Sequence, residues 1–118
     1  MNSHSKWLGR YGEDLAAQYL ARLGYEILAR NASTRAGELD IVARDGQTLV
    51  FVEVKTRASL SAGEPLSAIT ESKLAQLRRL AAAWCAAKRV PNGQVRFDAI
   101  GVLVRSGRVS IQHLKQVI

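Results

Sequence analysis

The chain has 118 residues, of which 47% are hydrophobic and 23% are charged, and these proportions are typical of one globular domain spanning residues 1–118. No apolar run approaches the roughly 18 residues that cross a bilayer, no signal peptide is recognisable, and one cysteine excludes an internal disulfide, so we expect a small, reduced, cytoplasmic protein with no membrane partner. The net charge of +7 makes a polyanion such as nucleic acid the first partner to consider.

Apolar periodicity predicts a first helix over about Lys6–Leu23, followed by a stop at Gly24. Its apolar stripe is expected to comprise Leu8, Gly12, Leu15, Tyr19 and Leu23. Three strands are then predicted at Tyr25–Arg30, Leu39–Arg44 and Thr48–Arg57. The pair Asp45-Gly46 is a turn signal, so the second and third strands are predicted to form a hairpin.

A loop over Ser59–Ser67 precedes a second predicted helix. That helix is expected to begin with Thr70 as its N-cap and to end before Pro91, with Ile69 and Leu74 placed for a hydrophobic staple. Its apolar stripe comprises Leu74, Leu77, Leu80, Ala81, Trp84 and Cys85. Trp84 and Cys85 therefore read as core residues rather than as a base-stacking or reactive pair.

Two further strands, Val95–Val104 and Val109–Leu114, are joined by a turn at Ser106-Gly107. The order is therefore helix, three strands, helix and two strands. Such an order predicts an α/β fold in which helices flank a mixed central sheet.

Acidic side chains occur in two neighbouring strands. Because successive side chains of a strand point to opposite faces, Glu38 and Asp40 are expected on one face of the second strand, opposite Leu39 and Ile41. The hairpin turn would also bring Asp40 close to Glu53, within a register uncertainty of one or two residues.

The third strand carries Glu53 and Lys55 on the same face as Leu49 and Phe51, with three valines on the opposite face. Charged side chains are rarely buried unless they are paired. One explanation is an edge strand with one wet face and a surface Glu–Lys pair. The other is a central strand whose charges are offset by a partner, a metal or a cleft, and the nearby Asp40 favours it.

Two carboxylates and a backbone carbonyl form the hard oxygen site that suits Mg²⁺ or Mn²⁺. Such an ion neutralises a phosphodiester and lowers the pKa of a bound water, and Lys55 could hold that water or stabilise developing charge. Glu13, at the border of the first helix's apolar stripe, could lean towards the same cleft or be an ordinary flanking acid. Lys73, in the first turn of the second helix, is either a snorkelling lysine or a phosphate contact.

The net positive charge is concentrated in the second half of the chain, because acidic residues are fewer there. Residues 1–59 contain 8 basic and 7 acidic residues, whereas residues 60–118 contain 9 basic and 3 acidic residues. Arg78 and Arg79 leave the apolar stripe on the solvent side, so they are solvated charges unless nucleic acid binds. Asp98 is expected to form a structural ion pair, and neither His4 nor His113 has a spaced partner for catalysis.

The strings Gly37-Glu38-Leu39-Asp40-Ile41-Val42-Ala43 and Phe51-Val52-Glu53-Val54-Lys55-Thr56-Arg57 resemble the PD-(D/E)XK nuclease superfamily. More closely, almost the whole chain resembles the YraN family of small bacterial proteins, which is similar to Holliday-junction resolvases. Further matching segments are Arg10-Tyr11-Gly12-Glu13, Arg30-Asn31 and Arg96-Phe97-Asp98. The resemblance implies an αβββαβ restriction-endonuclease-like core.

The resemblance also implies roles for individual residues. Asp40 and Glu53 would be metal ligands, Lys55 the catalytic lysine, and Glu13 the helix-borne acid that completes the site, with Lys73 in the following helix. Arg57, Arg78 and Arg79 join Lys73 as predicted nucleic-acid contacts. Leu39 stands where the superfamily has a proline, which is not a metal ligand.

Three hypotheses follow. The first is an endonuclease that uses Mg²⁺ or Mn²⁺ to hydrolyse phosphodiester bonds in structured DNA or RNA. The second is a catalytically inactive nucleic-acid-binding module of the same fold, and the third is a protein-interaction subunit. Cutting a junction at two symmetric positions would require a homodimer.

Overall fold

The computed structural model describes residues 3–90 and 93–118. The helices are α1 (Ser3–Arg22) and α2 (Glu71–Lys88), and the strands are β1 (Glu26–Thr34), β2 (Gly37–Asp45), β3 (Thr48–Arg57), β4 (Val95–Arg105) and β5 (Arg108–Leu114). A short 3-10 helix, Pro65–Ala68, lies between β3 and α2. The predicted order of elements is confirmed, although β1 continues to Thr34 rather than ending at Arg30.

The five strands form one sheet in chain order, from β1 at one edge to β5 at the other. The pairs β1–β2, β2–β3 and β4–β5 are antiparallel, whereas β3–β4 is parallel. Antiparallel strands can be joined by a tight turn, but parallel strands need a crossover connection, and α2 supplies it. The fold is therefore a mixed five-stranded sheet with one helix against each face.

The strand β3 lies in the middle of the sheet, and its side chains alternate as predicted. Val50, Val52 and Val54 belong to the apolar cluster beneath α1, whereas Leu49 and Phe51 belong to the cluster beneath α2. Burying a side chain such as Val or Phe contributes about 1.5–3 kcal/mol, so both faces of β3 are held firmly. Because β3 is a central strand, the explanation of Glu53 and Lys55 as a wet edge pair is wrong.

The strand β2 does not alternate as predicted. Leu39 belongs to the cluster beneath α2 and Ile41 to the cluster beneath α1, so these residues do not share a face. The neighbouring strand is irregular at the same level, because Asn31 has a left-handed backbone with φ of 50° and makes no ladder pair with Asp40. This local break turns β2 about its axis next to Asp40.

The buried face of α1 is rotated from the predicted stripe. Leu23 is 51% exposed, whereas Ala16, Ala17 and Leu20 are buried. The smallest residue allows the closest approach: a Cβ at Gly12 would lie 1.8 Å from Thr56 Oγ1. Because of this close approach, the first half of α1 packs directly against the end of β3.

The predictions for α2 are confirmed at its start and along its buried face. The Thr70 hydroxyl caps the helix by accepting a hydrogen bond from Lys73 N at 3.2 Å. Trp84 is buried and packs edge-on against Phe51, with ring centroids 5.8 Å apart. Arg89 ends the helix in a left-handed conformation, and the predicted boundary at Pro91 lies outside the described residues. Within the described ranges, no helix is long and apolar enough to cross a membrane.

Candidate metal and nucleic-acid site

The hairpin register brings the two predicted metal ligands together. The turn is the two-residue segment after Asp45, and the last ladder pair between β2 and β3 is Ile41 with Val52. One step further, Asp40 lies opposite Glu53. There a side chain replaces the backbone as hydrogen-bond acceptor, since Asp40 Oδ2 accepts a hydrogen bond from Val54 N at 2.9 Å.

Both carboxyl groups of this pair resist ionisation. Burial, the negative charge of Asp40 and a hydrogen bond to Asp40 raise the pKa of Glu53 to about 7, against the opposing positive charges of Lys73 and Lys55. Burial likewise raises the pKa of Asp40, although hydrogen bonds from Val54 N and Glu53 oppose the change. The two groups therefore titrate as a coupled pair that is costly to ionise fully.

Glu13 approaches this pair from α1. Burial and the charge of Asp40 raise the pKa of Glu13 to about 7, while Arg30 and a hydrogen bond from Asn31 lower it. Its Oε1 atom is buried and accepts no hydrogen bond from the described residues. Glu13 lies on the same side of α1 as the buried Leu20. It is therefore directed more towards the sheet than its predicted position at the border of the apolar stripe implies.

Two lysines complete the charge balance of the site. The positive charge of Lys55, two residues after Glu53 on β3, lowers the pKa of both Asp40 and Glu53. Lys55 and Glu13 also line a cleft of about 250 Å³ between the first turns of α1 and the end of β3. The positive charge of Lys73, an exposed residue in the first turn of α2, also lowers the pKa of Glu53.

The predicted arginines are not gathered at the carboxylates. Arg57 is half-buried at the end of β3, and its Nε finds no hydrogen-bond partner in the described part of the chain. Arg78 and Arg79 are exposed on α2, as predicted, but they line separate grooves. Arg79 shares its groove with Arg35, a cation that the sequence did not single out.

The donor set fits a hard divalent cation. Asp40 and Glu53 offer carboxylate oxygens, the ligands that Mg²⁺ and Mn²⁺ prefer. The buried, unpartnered Oε1 of Glu13 marks negative charge that a cation nearby would offset. No three His, Cys, Asp or Glu side chains of residues 3–90 and 93–118 stand close enough together to hold an ion, so Glu13 does not form a three-carboxylate cluster with Asp40 and Glu53.

A second polar cluster lies beneath α1 and has a structural character. Asp98 is fully buried. It accepts hydrogen bonds from Arg96 Nε at 2.8 Å and from Gln116 N at 3.2 Å. It also pairs with His113 Nε2 at 2.7 Å. Burial alone would raise the pKa of Asp98, but these partners and the Arg96 charge hold it at about 2. The structural ion pair of Asp98 is confirmed. No signal in the sequence indicates that His113 belongs to this network, in which Tyr19 OH lies 3.1 Å from its Nδ1.

A further groove lies away from these carboxylates. It has a volume of about 420 Å³ and runs along the start of β3 between Arg44, Leu49 and Cys85. None of its described lining residues is acidic. Burial raises the pKa of the Cys85 thiol, so this groove offers neither a metal site nor an activated nucleophile.

Comparison with known proteins identifies relatives over most of the chain. A model of the uncharacterised protein family UPF0102 matches residues 12–102. UPF0102 proteins of Beutenbergia cavernae and Acidothermus cellulolyticus are 50% and 55% identical, covering 93% and 83% of this chain and 94% and 82% of their own. One from Geobacter sulfurreducens is 52% identical over 87% of this chain and 80% of its own. The resemblance to the YraN family is thereby confirmed.

Proposed function

The chain belongs to the uncharacterised protein family UPF0102, and we propose that it is a metal-dependent endonuclease that hydrolyses phosphodiester bonds in structured DNA or RNA. One observation carries the proposal: Asp40 and Glu53, whose ionisation is disfavoured by burial, meet beside Lys55 where two central strands lose their pairing. A purely structural role gives no reason to place this costly group in the middle of a sheet.

The topology agrees with an αβββαβ nuclease core of the PD-(D/E)XK type. A helix precedes a three-stranded meander, and a crossover helix leads to a parallel fourth strand. The two acidic ligands would then come from adjacent strands and Lys55 from the second of them. Leu39 in place of the usual proline is buried beneath α2 and leaves the ligand atoms unchanged.

Each residue has a distinct task in the proposed reaction. Asp40 and Glu53 would hold Mg²⁺ or Mn²⁺, with Asp40 oriented by its hydrogen bond from Val54 N. When bound, the cation would neutralise phosphodiester charge and lower the pKa of a water molecule. Lys55 would hold the attacking water or stabilise charge that develops on the phosphorus-bound oxygens. Glu13 would accept a proton from the cleft, which its pKa of about 7 permits near neutral pH.

The proposed substrate follows from charge. The excess of basic residues lies in residues 60–118, and exposed Lys73, Arg78 and Arg79 on α2 would contact phosphates without reading bases. Arg57, half-buried at the end of β3, would contact a phosphate through the accessible part of its guanidinium group. We propose a cytoplasmic protein that acts as a homodimer on substrates with two symmetric cutting positions.

Cleavage by the purified protein tests the proposal. The protein would be incubated with Mn²⁺ and single strands, flaps, junctions and structured RNA. Lys55→Met should abolish cutting but keep most of the nucleic-acid affinity, because the ammonium acts mainly in the transition state. Lys88→Met, a matched control on the exposed end of α2, should cut like the parent. Cutting by Lys55→Met at the parent rate would refute the assignment.

Metal binding is tested separately by thermal unfolding. Mg²⁺ or Mn²⁺ should raise the melting temperature, because an ion that binds only the folded protein stabilises it. The double variant Asp40→Asn with Glu53→Gln should lose this rise. A rise that persists undiminished would rule out the site, whereas tight nucleic-acid binding without cutting of any substrate would favour the inactive binding module.

A further inference from the structure

Three aromatic side chains form a stack on the first turns of α1, in which His4 and Trp7 are exposed and Tyr11 is half-buried. Trp7 lies between Tyr11, with ring centroids 5.2 Å apart and planes at 12°, and His4, at 6.2 Å and 24°. Trp7 is 56% exposed, more than any other large apolar side chain in the described part of the protein. The residues recur at helical spacing, so they form one stripe, which we call the aromatic stripe.

The aromatic stripe has no role in the core. The buried side of α1 carries Ala16 and Leu20, and at 3.6 residues per turn the stripe faces almost the opposite direction. An indole left in water forgoes the stabilisation that burial would provide. A ligand that stacks on the Trp7 ring would have to displace one of its two stacked neighbours, and His4 is the more distant of them.

Positive charge lies between the aromatic stripe and the carboxylate site. Going around α1 at 3.6 residues per turn, Lys6 and Arg10 fall between Glu13 and Trp7. Both cations are exposed, and Glu13 lines the cleft that also contains Lys55. A chain of phosphates could thus pass over Lys6 and Arg10 while its bases reach the rings.

We propose that the aromatic stripe binds unpaired nucleotides of single-stranded DNA or RNA and leads them to the carboxylate site. A base stacks on Trp7 in place of His4, the more loosely placed neighbour, while Tyr11 supports the other side of the indole. Stacking needs no particular base, because every base has a π-face. The role in delivering substrate rests on the proposed nuclease function, but the binding itself does not.

Tryptophan fluorescence tests the binding directly. The full chain carrying Glu53→Gln, which should not cut, would be titrated with oligothymidylate, oligouridylate and a blunt hairpin duplex. We expect the single strands to quench Trp7, since the other tryptophan, Trp84, is buried. Measured by the anisotropy of a labelled oligonucleotide, because these variants lack the Trp7 signal, Trp7→Leu should weaken single-strand binding by about 5-fold to about 100-fold, and Trp7→Phe by much less. Trp7 is exposed, so both variants should keep the parent's urea midpoint.

The cations have a matched control. Lys6→Gln with Arg10→Gln should weaken single-strand binding more than Arg105→Gln with Arg108→Gln, which removes equal charge at the β4–β5 turn. Unchanged affinity in Trp7→Leu, or quenching only at concentrations where the protein self-associates, would overturn the proposal. If quenching occurs but no substrate is cut, the nuclease function fails and this inference stands. If Trp7→Leu in the otherwise unaltered chain cuts single strands at the parent rate, the inference fails alone.

Discussion

Neutralising Glu53 should stabilise the metal-free protein at alkaline pH. The pKa of Glu53 is raised from 4.5 to about 7 in the folded protein. Between these values the unfolded chain releases the proton while the folded chain retains it, so the free energy of unfolding falls as the pH rises. At about 1.4 kcal/mol per pH unit, the loss from this group reaches about 3 kcal/mol above pH 7, an upper figure because Asp40 shares the charge.

The assay is urea unfolding in EDTA at pH 5 and pH 8. The parent should be less stable at pH 8, and Glu53→Gln should recover about 2–3 kcal/mol there while changing little at pH 5. Glu13 keeps its own raised pKa, so part of the pH dependence should remain. Glu64→Gln, in an exposed loop position, is the matched control and should follow the parent. An unchanged pH dependence in Glu53→Gln would refute the reasoning, and so would Mg²⁺ failing to stabilise the parent at pH 8.

Three further predictions concern the fold and the basic surface. Asp98→Asn should cost about 3 kcal/mol in urea unfolding at pH 7, because it breaks a buried ion-pair network. The contribution of Asp98 to stability is present above its unfolded pKa of 3.8 and is lost as the pH falls towards 2. A cost of Asp98→Asn below about 1 kcal/mol at pH 7 would contradict the prediction. Gly12→Ala should lower the free energy of unfolding by about 1–3 kcal/mol. Gly9 has open space around it, so Gly9→Ala should leave the free energy of unfolding unchanged or raise it by up to about 1 kcal/mol. Equal effects of the two substitutions would contradict the close packing of α1 on β3 at Gly12. Arg78→Ala with Arg79→Ala should flatten the salt dependence of duplex binding by up to about two units, and an unchanged slope would remove both from the phosphate contacts.

Local signals in the sequence were sufficient for much of the sheet. The alternation of β3 predicted which of its apolar side chains share a face, and the structure confirms this for Leu49 and Phe51 and for the three valines. The short turn after Asp45 then sets the register, because a two-residue loop leaves little freedom in pairing the strands beside it. Asp40 and Glu53 could therefore be predicted as neighbours from the sequence to within one or two residues of register, and the structure gives the register.

The break in β2 could not be read from alternation. It depends on Asn31 in the neighbouring strand, whose left-handed backbone interrupts the ladder opposite Asp40. A period-two pattern assumes a regular strand, and nothing in the residues of β2 itself signals the irregularity. The expected pairing of Leu39 with Ile41 on one face failed for this reason.

The remaining contacts of the site join segments far apart in the chain. The charge of Asp40 affects the pKa of Glu13 only because Gly12 lets α1 approach β3. The charge of Lys73 affects the pKa of Glu53 only because α2 crosses the other face of the sheet. His113 likewise finds Asp98 through the pairing of β5 with β4. Periodicity and turn signals act over a few residues and determine the helices and strands. Contacts between residues on different elements depend on how whole elements pack, and only the tertiary structure decides that packing.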